Sequence, residues 1–305
     1  MGKNDSKTAY WVDTFRKIAP DIPVYSHNED HRSEDIDLAV VSNHPPGWLS
    51  RYPNLKGVHA MGAGVEHLLQ DKFIPDHVKL MKVVDPFLTQ DMAEFALASM
   101  MSILRDVPFY KRAQLSQKWE PLSYRRIQDI KVGIMGLGTL GLAVAKKLII
   151  NGFKLCGWTR ASHPKVDFEI FRGKDELYSF LNQCDALICL LPLTPATTGI
   201  LNVDAFEALR DGAHVINLAR GPVVVDDDLI CALDSGKLSG ALLDVFHEEP
   251  LPASHPFWLH EKVFITPHVA SVTNASSVVP QILKNYYALK NGATVENEIL
   301  RLQGY

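Results

Sequence analysis

Three short segments each set a polar or charged group just past an apolar run: Ile216-Asn-Leu-Ala-Arg220-Gly221, Leu243-Asp244-Val-Phe-His-Glu-Glu249-Pro250 and Ile265-Thr-Pro-His268-Val-Ala270. An imidazole can give or take a proton near neutral pH, and a guanidinium can hold an anion through a planar fork of donors. If the apolar runs are parallel strands, their carboxyl ends line one ligand crevice, where Arg220, Glu249 and His268 would converge. Taken singly, each residue also fits a plainer role. His268 could be a satisfied structural group, Arg220 could close a turn, and Glu249 beside Pro250 could sit in a solvated loop.

A second signal is Val132-Gly-Ile-Met-Gly136-Leu137-Gly138-Thr139-Leu140-Gly141, followed by a helical pattern over 142–148. A G-x-G-x-x-G alone is weak, but here a strand pattern precedes it and a helix follows, which is the context a dinucleotide site requires. Gly136 would allow the tight turn, Gly138 the approach of backbone to pyrophosphate, and Gly141 the packing of helix on strand. An NAD-specific site would carry Asp or Glu at the end of the next strand, on the ribose 2′-hydroxyl. That strand instead ends Gly157-Trp158-Thr159-Arg160. Thr159 removes a repulsive charge and Arg160 can pair with a 2′-phosphate, so NADPH is the expected cofactor and NADH the weaker alternative. Arg160 could otherwise be a solvated loop cation.

Elements must exist to position these groups. Leu38–Val41 reads as a buried strand closed by Asn43-His44-Pro45-Pro46-Gly47, and Val58–Met61 as a second strand. The latter ends in Gly62-Ala63-Gly64 before a helix over 65–69, an arrangement suited to an anion. A helical period runs from Gln90 to about Tyr110, where the chain crosses into a second domain. Residues 131–135, 154–158, 186–190, 214–217, 240–244 and 263–266 read as strands with helical patterns between most of them. Short aliphatic runs separated by helices predict an α/β fold with parallel sheets covered on both faces. A last helix is expected over 277–289.

Composition narrows the partners. The 305 residues are roughly two domains' worth. With 31 Lys and Arg against 35 Asp and Glu, the net charge of -4 leaves no cationic excess for phosphate neutralisation, so no nucleic-acid partner is expected. The cysteines, Cys156, Cys184, Cys189 and Cys231, lack paired zinc spacing, so no metal is expected and buried thiols in a reducing compartment are. No apolar run spans a bilayer and Met1–Tyr10 has no secretory core, which reads as cytoplasmic with no membrane partner. Met1-Gly2-Lys3-Asn4-Asp5-Ser6 fits the loose N-myristoylation pattern, with nothing else to suggest an anchor.

In combination and order, the segments resemble the D-2-hydroxyacid dehydrogenase family, its A-type glyoxylate/hydroxypyruvate reductases above all. The resemblance also takes in Gly62-Ala-Gly-Val65, Leu191-Pro-Leu-Thr-Pro-Ala-Thr197, Glu249-Pro-Leu-Pro252 and the closing Gln-Gly-Tyr305. It implies two Rossmann-like domains, with a dinucleotide-binding domain over 91–270 inserted into a substrate domain of 1–90 and 271–305, and a homodimer. It further implies NADPH-dependent reduction of a small-molecule 2-oxo acid substrate. Arg220 would bind and polarise the substrate, His268 would be the general acid, and Glu249 would orient His268. Ala63 and Gly64 would hold the substrate carboxylate. Leu191, Pro192 and Thr197 would lie along the adenosine and pyrophosphate, with Leu218, Ala219 and Asp244 near the nicotinamide. Trp119 resembles a family tryptophan near the partner subunit, or else has a packing role.

Two departures stand out. The family opens with a strand ahead of its first helix, whereas Tyr10–Ile18 already reads as that helix after a polar tail, so the first strand is missing or replaced. Asn43 stands where A-type reductases carry a bulky Trp. Rival readings are a nucleotide-sensing scaffold of the corepressor type, and a formate or phosphoglycerate dehydrogenase of the same family. Glu249 in place of Gln argues against the formate enzyme, and the lack of a regulatory domain in this sequence argues against the phosphoglycerate enzyme.

Overall fold

Aliphatic runs buried on both faces need helices on both sides of their sheet, and the chain folds accordingly. A computed structural model describes residues 5–42, 44–160 and 165–301. Asn43, the Met1–Asn4 part of the myristoylation pattern and the closing Gln-Gly-Tyr305 lie outside the described residues. The chain divides into two compact units, one of Met1–Leu88 with Val272–Tyr305 and one of Thr89–Ser271.

The first unit opens with helix α1 (Asp5–Ile18), followed by strand β1 (Leu38–Val41), β2 (Gly57–Ala60), the short helix α2 (Glu66–Gln70) and β3 (Lys79–Met81). These strands form a parallel three-stranded sheet in the order β1-β2-β3. No strand precedes α1 among the described residues. β3 opens on Lys79 and leaves only Leu80 and Met81 as apolar residues, so it did not stand out as an aliphatic run. Helix α3 (Pro86–Leu104) leads onward and α4 (Val107–Leu115) follows it. The single helix expected over this stretch is broken at Asp106, whose φ is +52°. Pro108 is the cause, because proline lacks the N–H and clashes with the preceding turn of a continuous helix.

The second unit holds β4 (Lys131–Met135), α5 (Thr139–Ile150), β5 (Lys154–Thr159), β6 (Glu169–Arg172), α6 (Leu177–Leu181) and β7 (Ala186–Cys189). It continues through α7 (Val203–Ala208), β8 (Ala213–Asn217), α8 (Asp226–Asp234), β9 (Leu238–Leu243) and β10 (Val263–Ile265). Its parallel seven-stranded sheet has the order β10-β9-β8-β7-β4-β5-β6. The order reverses between β4 and β7, and a crevice outside strand carboxyl ends at such a switch point is where doubly wound sheets bind ligands. Side chains alternate between two cores: Leu187 and Cys189 of β7 face one, Ala186 and Ile188 the other. The final helix, α9 (Ala275–Lys290), belongs to the first unit.

Cys156, Cys184 and Cys189 are buried, and burial pushes the Cys189 thiol up to about 12. Cys231 departs from the expectation and is exposed, because Leu229, Ala232 and Leu233 take the inward face of α8. Among the described residues no helix is long and apolar enough to cross a membrane, and no cluster of potential ligands could hold a metal ion.

At the other end of the large sheet from the crevice, Asp185 joins three segments. Its carboxylate accepts from the Lys131 amide at 2.8 Å, from Arg125 at 2.9 Å and from Arg210 at 3.2 Å. Burial alone would raise this carboxyl. The Lys131 amide, the Arg125 hydrogen bond and the charges of Arg125 and Arg210 outweigh burial and hold it below its ordinary value. Replacing Asp185 by Ala should therefore destabilise the protein by about 1–3 kcal/mol in urea unfolding, mainly through the orphaned Lys131 amide. A lowered folded pKa means stabilisation that is present above the unfolded value and lost as pH falls through the lowered one. The gap between wild type and variant should therefore narrow in acid, and a gap that widens there would contradict the assignment.

Candidate active site

The glycine loop leaves β4 at the switch point and enters α5. Gly136 has φ +105°, and a Cβ there would stand 2.9 Å from the Leu190 carbonyl oxygen. A Cβ on Gly141 would come within 1.9 Å of the Gly136 oxygen, so only glycine lets α5 pack this close to the strand. Gly138 differs: a Cβ there would meet nothing within 4 Å. It is the N-cap of α5, and Thr139 and Leu140 form the first turn beside it. Open backbone at the N-terminus of a 12-residue helix suits a pyrophosphate, so the loop fits a dinucleotide.

The neighbouring strands complete this edge. Thr159 is buried at the end of β5, Arg160 follows it exposed, and no carboxylate stands between Trp158 and Arg160. After β7, Leu191 is buried and Pro192 half-buried. The buried Thr197 hydroxyl donates to the Pro192 carbonyl at 2.7 Å and accepts from the Thr194 amide at 2.8 Å, fixing the turn.

Past β8, Leu218 and Ala219 are buried. Asn217, 1% exposed, accepts from the Ala219 amide at 3.1 Å and donates to the Arg220 carbonyl at 3.0 Å, which curls the chain so that Arg220 stands at the crevice. The Arg220 guanidinium donates to the Ala219 carbonyl at 2.6 Å. Gly221 lies against the next loop: a Cβ there would sit 2.0 Å from the Phe246 carbonyl carbon. That contact sets Arg220 beside the Phe246–Glu249 turn.

Glu249 uses both oxygens. One accepts from the Phe246 amide at 3.0 Å and the other meets His268 Nδ1 at 2.7 Å. Burial would raise this carboxyl. The His268 hydrogen bond, the Phe246 amide and the positive charges of His268 and Arg220 more than offset burial and keep it below its ordinary value. The structure thus brings Arg220, Glu249 and His268 together in one unit. Ala63 and Gly64 follow β2 in the other unit, both half-buried. The helix after them, α2, has only five residues, so an anion there would depend on local N–H groups rather than on a helix dipole.

What holds His268 was not visible in the sequence. The Asp244 carboxylate, 1% exposed, accepts from the Thr266 hydroxyl at 2.6 Å, the Val269 amide at 2.9 Å and the Ala270 amide at 2.9 Å. The Asp244 carbonyl accepts from the His268 amide at 2.8 Å. His268 itself has φ +53°, a left-handed conformation that a β-carbon makes costly by about 1–3 kcal/mol unless its surroundings impose it. Asp244, Asn217 and Gly221 are therefore positioning residues. The only signal for them was a polar residue at the end of an aliphatic strand, as at Asn217 and Asp244, or a glycine in the turn that follows, as at Gly221.

The arrangement is a nucleotide-binding sheet with an acid–base pair and a guanidinium at its carboxyl edge. The profile of the "D-isomer specific 2-hydroxyacid dehydrogenase, NAD binding domain" matches residues 97–270. Glyoxylate/hydroxypyruvate reductase A of Escherichia fergusonii is 39% identical over 304 residues, 98% of this chain and 96% of that protein. The crystal structure of a D-isomer specific 2-hydroxyacid dehydrogenase from Xanthobacter autotrophicus, in complex with NADPH and MES, superposes with a TM-score of 0.92 at 35% identity, covering 100% of this chain and 98% of that one. An NADPH-dependent glyoxylate/hydroxypyruvate reductase from Sinorhizobium meliloti, with NADP and sulfate, gives a TM-score of 0.83 at 37% identity over 88% of this chain and 86% of that one. The chain belongs to the D-isomer specific 2-hydroxyacid dehydrogenase family and is an oxidoreductase of that class.

The two glycines predict opposite outcomes. Gly138→Ala should leave thermal stability nearly unchanged yet weaken dinucleotide binding, whereas Gly141→Ala should lower Tm by several degrees, as overpacking costs about 1–3 kcal/mol. Thermal melts and cofactor titration check both, and equal effects of the two substitutions on Tm would refute the assignment.

Proposed function

We propose that this protein reduces small 2-oxo acids, glyoxylate and hydroxypyruvate among them, to 2-hydroxy acids with NADPH. The observation that carries the reading is the 2.7 Å pair of His268 Nδ1 with Glu249, beside Arg220 at the carboxyl edge of a dinucleotide-binding sheet. The named activity of the Escherichia relative, the NADPH in one structural neighbour and the NADP in another support the substrate and the cofactor.

When bound, the reduced nicotinamide supplies the hydride that adds to C2 of the substrate. The carbonyl oxygen then carries negative charge and must gain a proton. Glu249 holds Nδ1, which leaves Nε2, without a hydrogen-bond partner among the described residues, to carry the transferable proton. Arg220 polarises the carbonyl and offsets the charge of the 2-oxo acid. The Ala63 and Gly64 amides hold the substrate carboxylate; a substrate-analogue complex with that carboxylate beyond about 4 Å from them would rule this out. Leu191, Pro192 and Thr197 border the adenosine and pyrophosphate, and Leu218, Ala219 and Asp244 the nicotinamide. The protein acts in the cytoplasm as a homodimer without a nucleic-acid partner, and Trp119 and Leu115, 97% and 75% exposed, supply the apolar surface for the second subunit. Sedimentation as a monomer at micromolar concentration would overturn the dimer.

NADPH oxidation with a panel of 2-oxo acids tests the reading. Glyoxylate and hydroxypyruvate should support turnover, and no turnover with any 2-oxo acid would overturn it. Arg160→Ala should weaken NADPH use roughly 10- to 100-fold in kcat/KM and leave NADH nearly unchanged, because a hydrogen bond to a charged group contributes about 1.5–3 kcal/mol. Equal efficiency of the two cofactors in the parent enzyme would contradict that assignment.

Reduction takes up a proton and hydroxy-acid oxidation releases one, so rising pH should disfavour reduction and favour oxidation. On the acid side, the lowered Glu249 carboxyl keeps the pair intact until pH falls below the ordinary carboxylate range. His268→Ala should lower kcat for reduction by about 10²–10⁴ and flatten the alkaline limb. An unchanged kcat and pH profile would make His268 structural.

A further inference from the structure

Glu249 stands in a turn that its own backbone supports weakly. The amides of His247, Glu248, Glu249 and Leu251 make no hydrogen bond among the described residues, and residues 247–250 are exposed. Two contacts act at the start of the turn: Gly221 lies against Phe246 and His247, and the Phe246 amide reaches the Glu249 carboxylate. Beyond them a cavity of about 450 Å³ opens between the turn and α8, bordered by Pro222, Val225, Ile230, His247 and Pro256. Packing therefore does not fix this side of the turn.

A polar tether bridges that gap. His247 Nδ1 lies 3.1 Å from Asp226 Oδ2, and His255 Nε2 lies 3.5 Å from the same oxygen. His255 Nδ1 accepts from the Phe257 amide at 3.3 Å, which leaves its proton on Nε2 and makes this ring a donor to Asp226. The Asp226 side chain is 25% exposed, so its bond to His247 is screened less than that of a surface ion pair. Asp226 is itself firmly placed, because it opens α8. There the Val225 amide donates to the Leu201 carbonyl at 2.9 Å, the Asp228 carboxylate accepts from the Val203 amide at 2.9 Å, and Leu229 and Leu233 are buried. The tether thus carries the position of a packed helix to an exposed turn.

We infer that Asp226 is a positioning residue for the proton donor: through His247 it fixes the turn that presents Glu249, and Glu249 fixes His268. The inference rests on the reading of His268 as the acid. A residue that acts this way changes the proton-transfer step and leaves cofactor binding alone, since the glycine loop and Arg160 lie on other strands' ends.

The test is a double-mutant cycle on the full chain, read in kcat for NADPH-dependent glyoxylate reduction and in amide hydrogen exchange at Phe246. Asp226→Ala and His247→Ala should each lower kcat about fivefold with KM for NADPH unchanged. The double variant should also lie about fivefold below the parent, where independent effects would multiply to about 25-fold. Asp226→Asn should recover kcat to within about twofold of the parent, because its amide oxygen still accepts from His247. Asp227→Ala removes another carboxylate from the same helical turn and should leave kcat unchanged. Exchange at Phe246, whose amide is bonded to Glu249, should quicken about fivefold in each single variant and no further in the double. Multiplying effects, no recovery in Asp226→Asn, an equal loss in Asp227→Ala or unchanged Phe246 exchange would each overturn the inference. If the parent turns over no 2-oxo acid, the proposed function falls, and the exchange cycle at Phe246, which needs no substrate, decides the role of Asp226 by itself.

Discussion

The site depends first on one buried carboxylate. Asp244 ends an aliphatic strand with almost no exposure, and a charge in that position is tolerable only if donors surround it. The donors come from Thr266, Val269 and Ala270, the residues that flank His268. Satisfying Asp244 therefore folds the segment after β10 around the end of β9 and holds His268 in a left-handed conformation that it would not adopt alone. The imidazole then meets Glu249, whose own position is set by the Phe246 amide one turn earlier. Three hydrogen bonds to a charged group, each contributing about 1.5–3 kcal/mol, are of the size needed to offset the desolvation and the strain.

Steric closeness provides the second constraint. Gly141 lets α5 lie on the β4 turn, and Gly221 lets the turn after β8 lie on the backbone at Phe246. The first contact leaves the helix N-terminus and Gly138 open for an anion. The second sets Arg220 beside Glu249. A methyl group at either contact would collide with main-chain atoms, which have nowhere to move without displacing the glycine loop or Arg220 and Glu249.

Much of this was legible in the sequence because short buried parallel strands leave continuous aliphatic runs, as at Val132–Met135 and Ala186–Cys189, and because the polar and charged residues that follow such runs stand out against them. The glycine loop was legible for the same reason, as backbone demands select glycine by position. The helix break at Asp106 was missed although Pro108 signals it, since the apolar period continues on both sides. β3 opens on Lys79 and β6 is bracketed by Glu169 and Arg172, so each leaves only two consecutive apolar residues and no aliphatic run. Cys231 looked buried from its neighbours Ile230 and Ala232, but helix geometry turns it outward. The clamp formed by Asp244 was illegible because its partners are backbone amides, which any residue provides.

The measurement that bears most directly on this account is kcat for NADPH-dependent glyoxylate reduction by Asp244→Asn at saturating cofactor, with thermal stability recorded alongside. The amide has nearly the same shape, but its NH2 donates where either the Val269 or the Ala270 amide needs an acceptor. If Asp244 positions the proton donor, kcat should fall by at least about tenfold, a loss of ~1.4 kcal/mol, while the protein stays folded. A folded Asp244→Asn enzyme with unchanged kcat would show that His268 is held by something else.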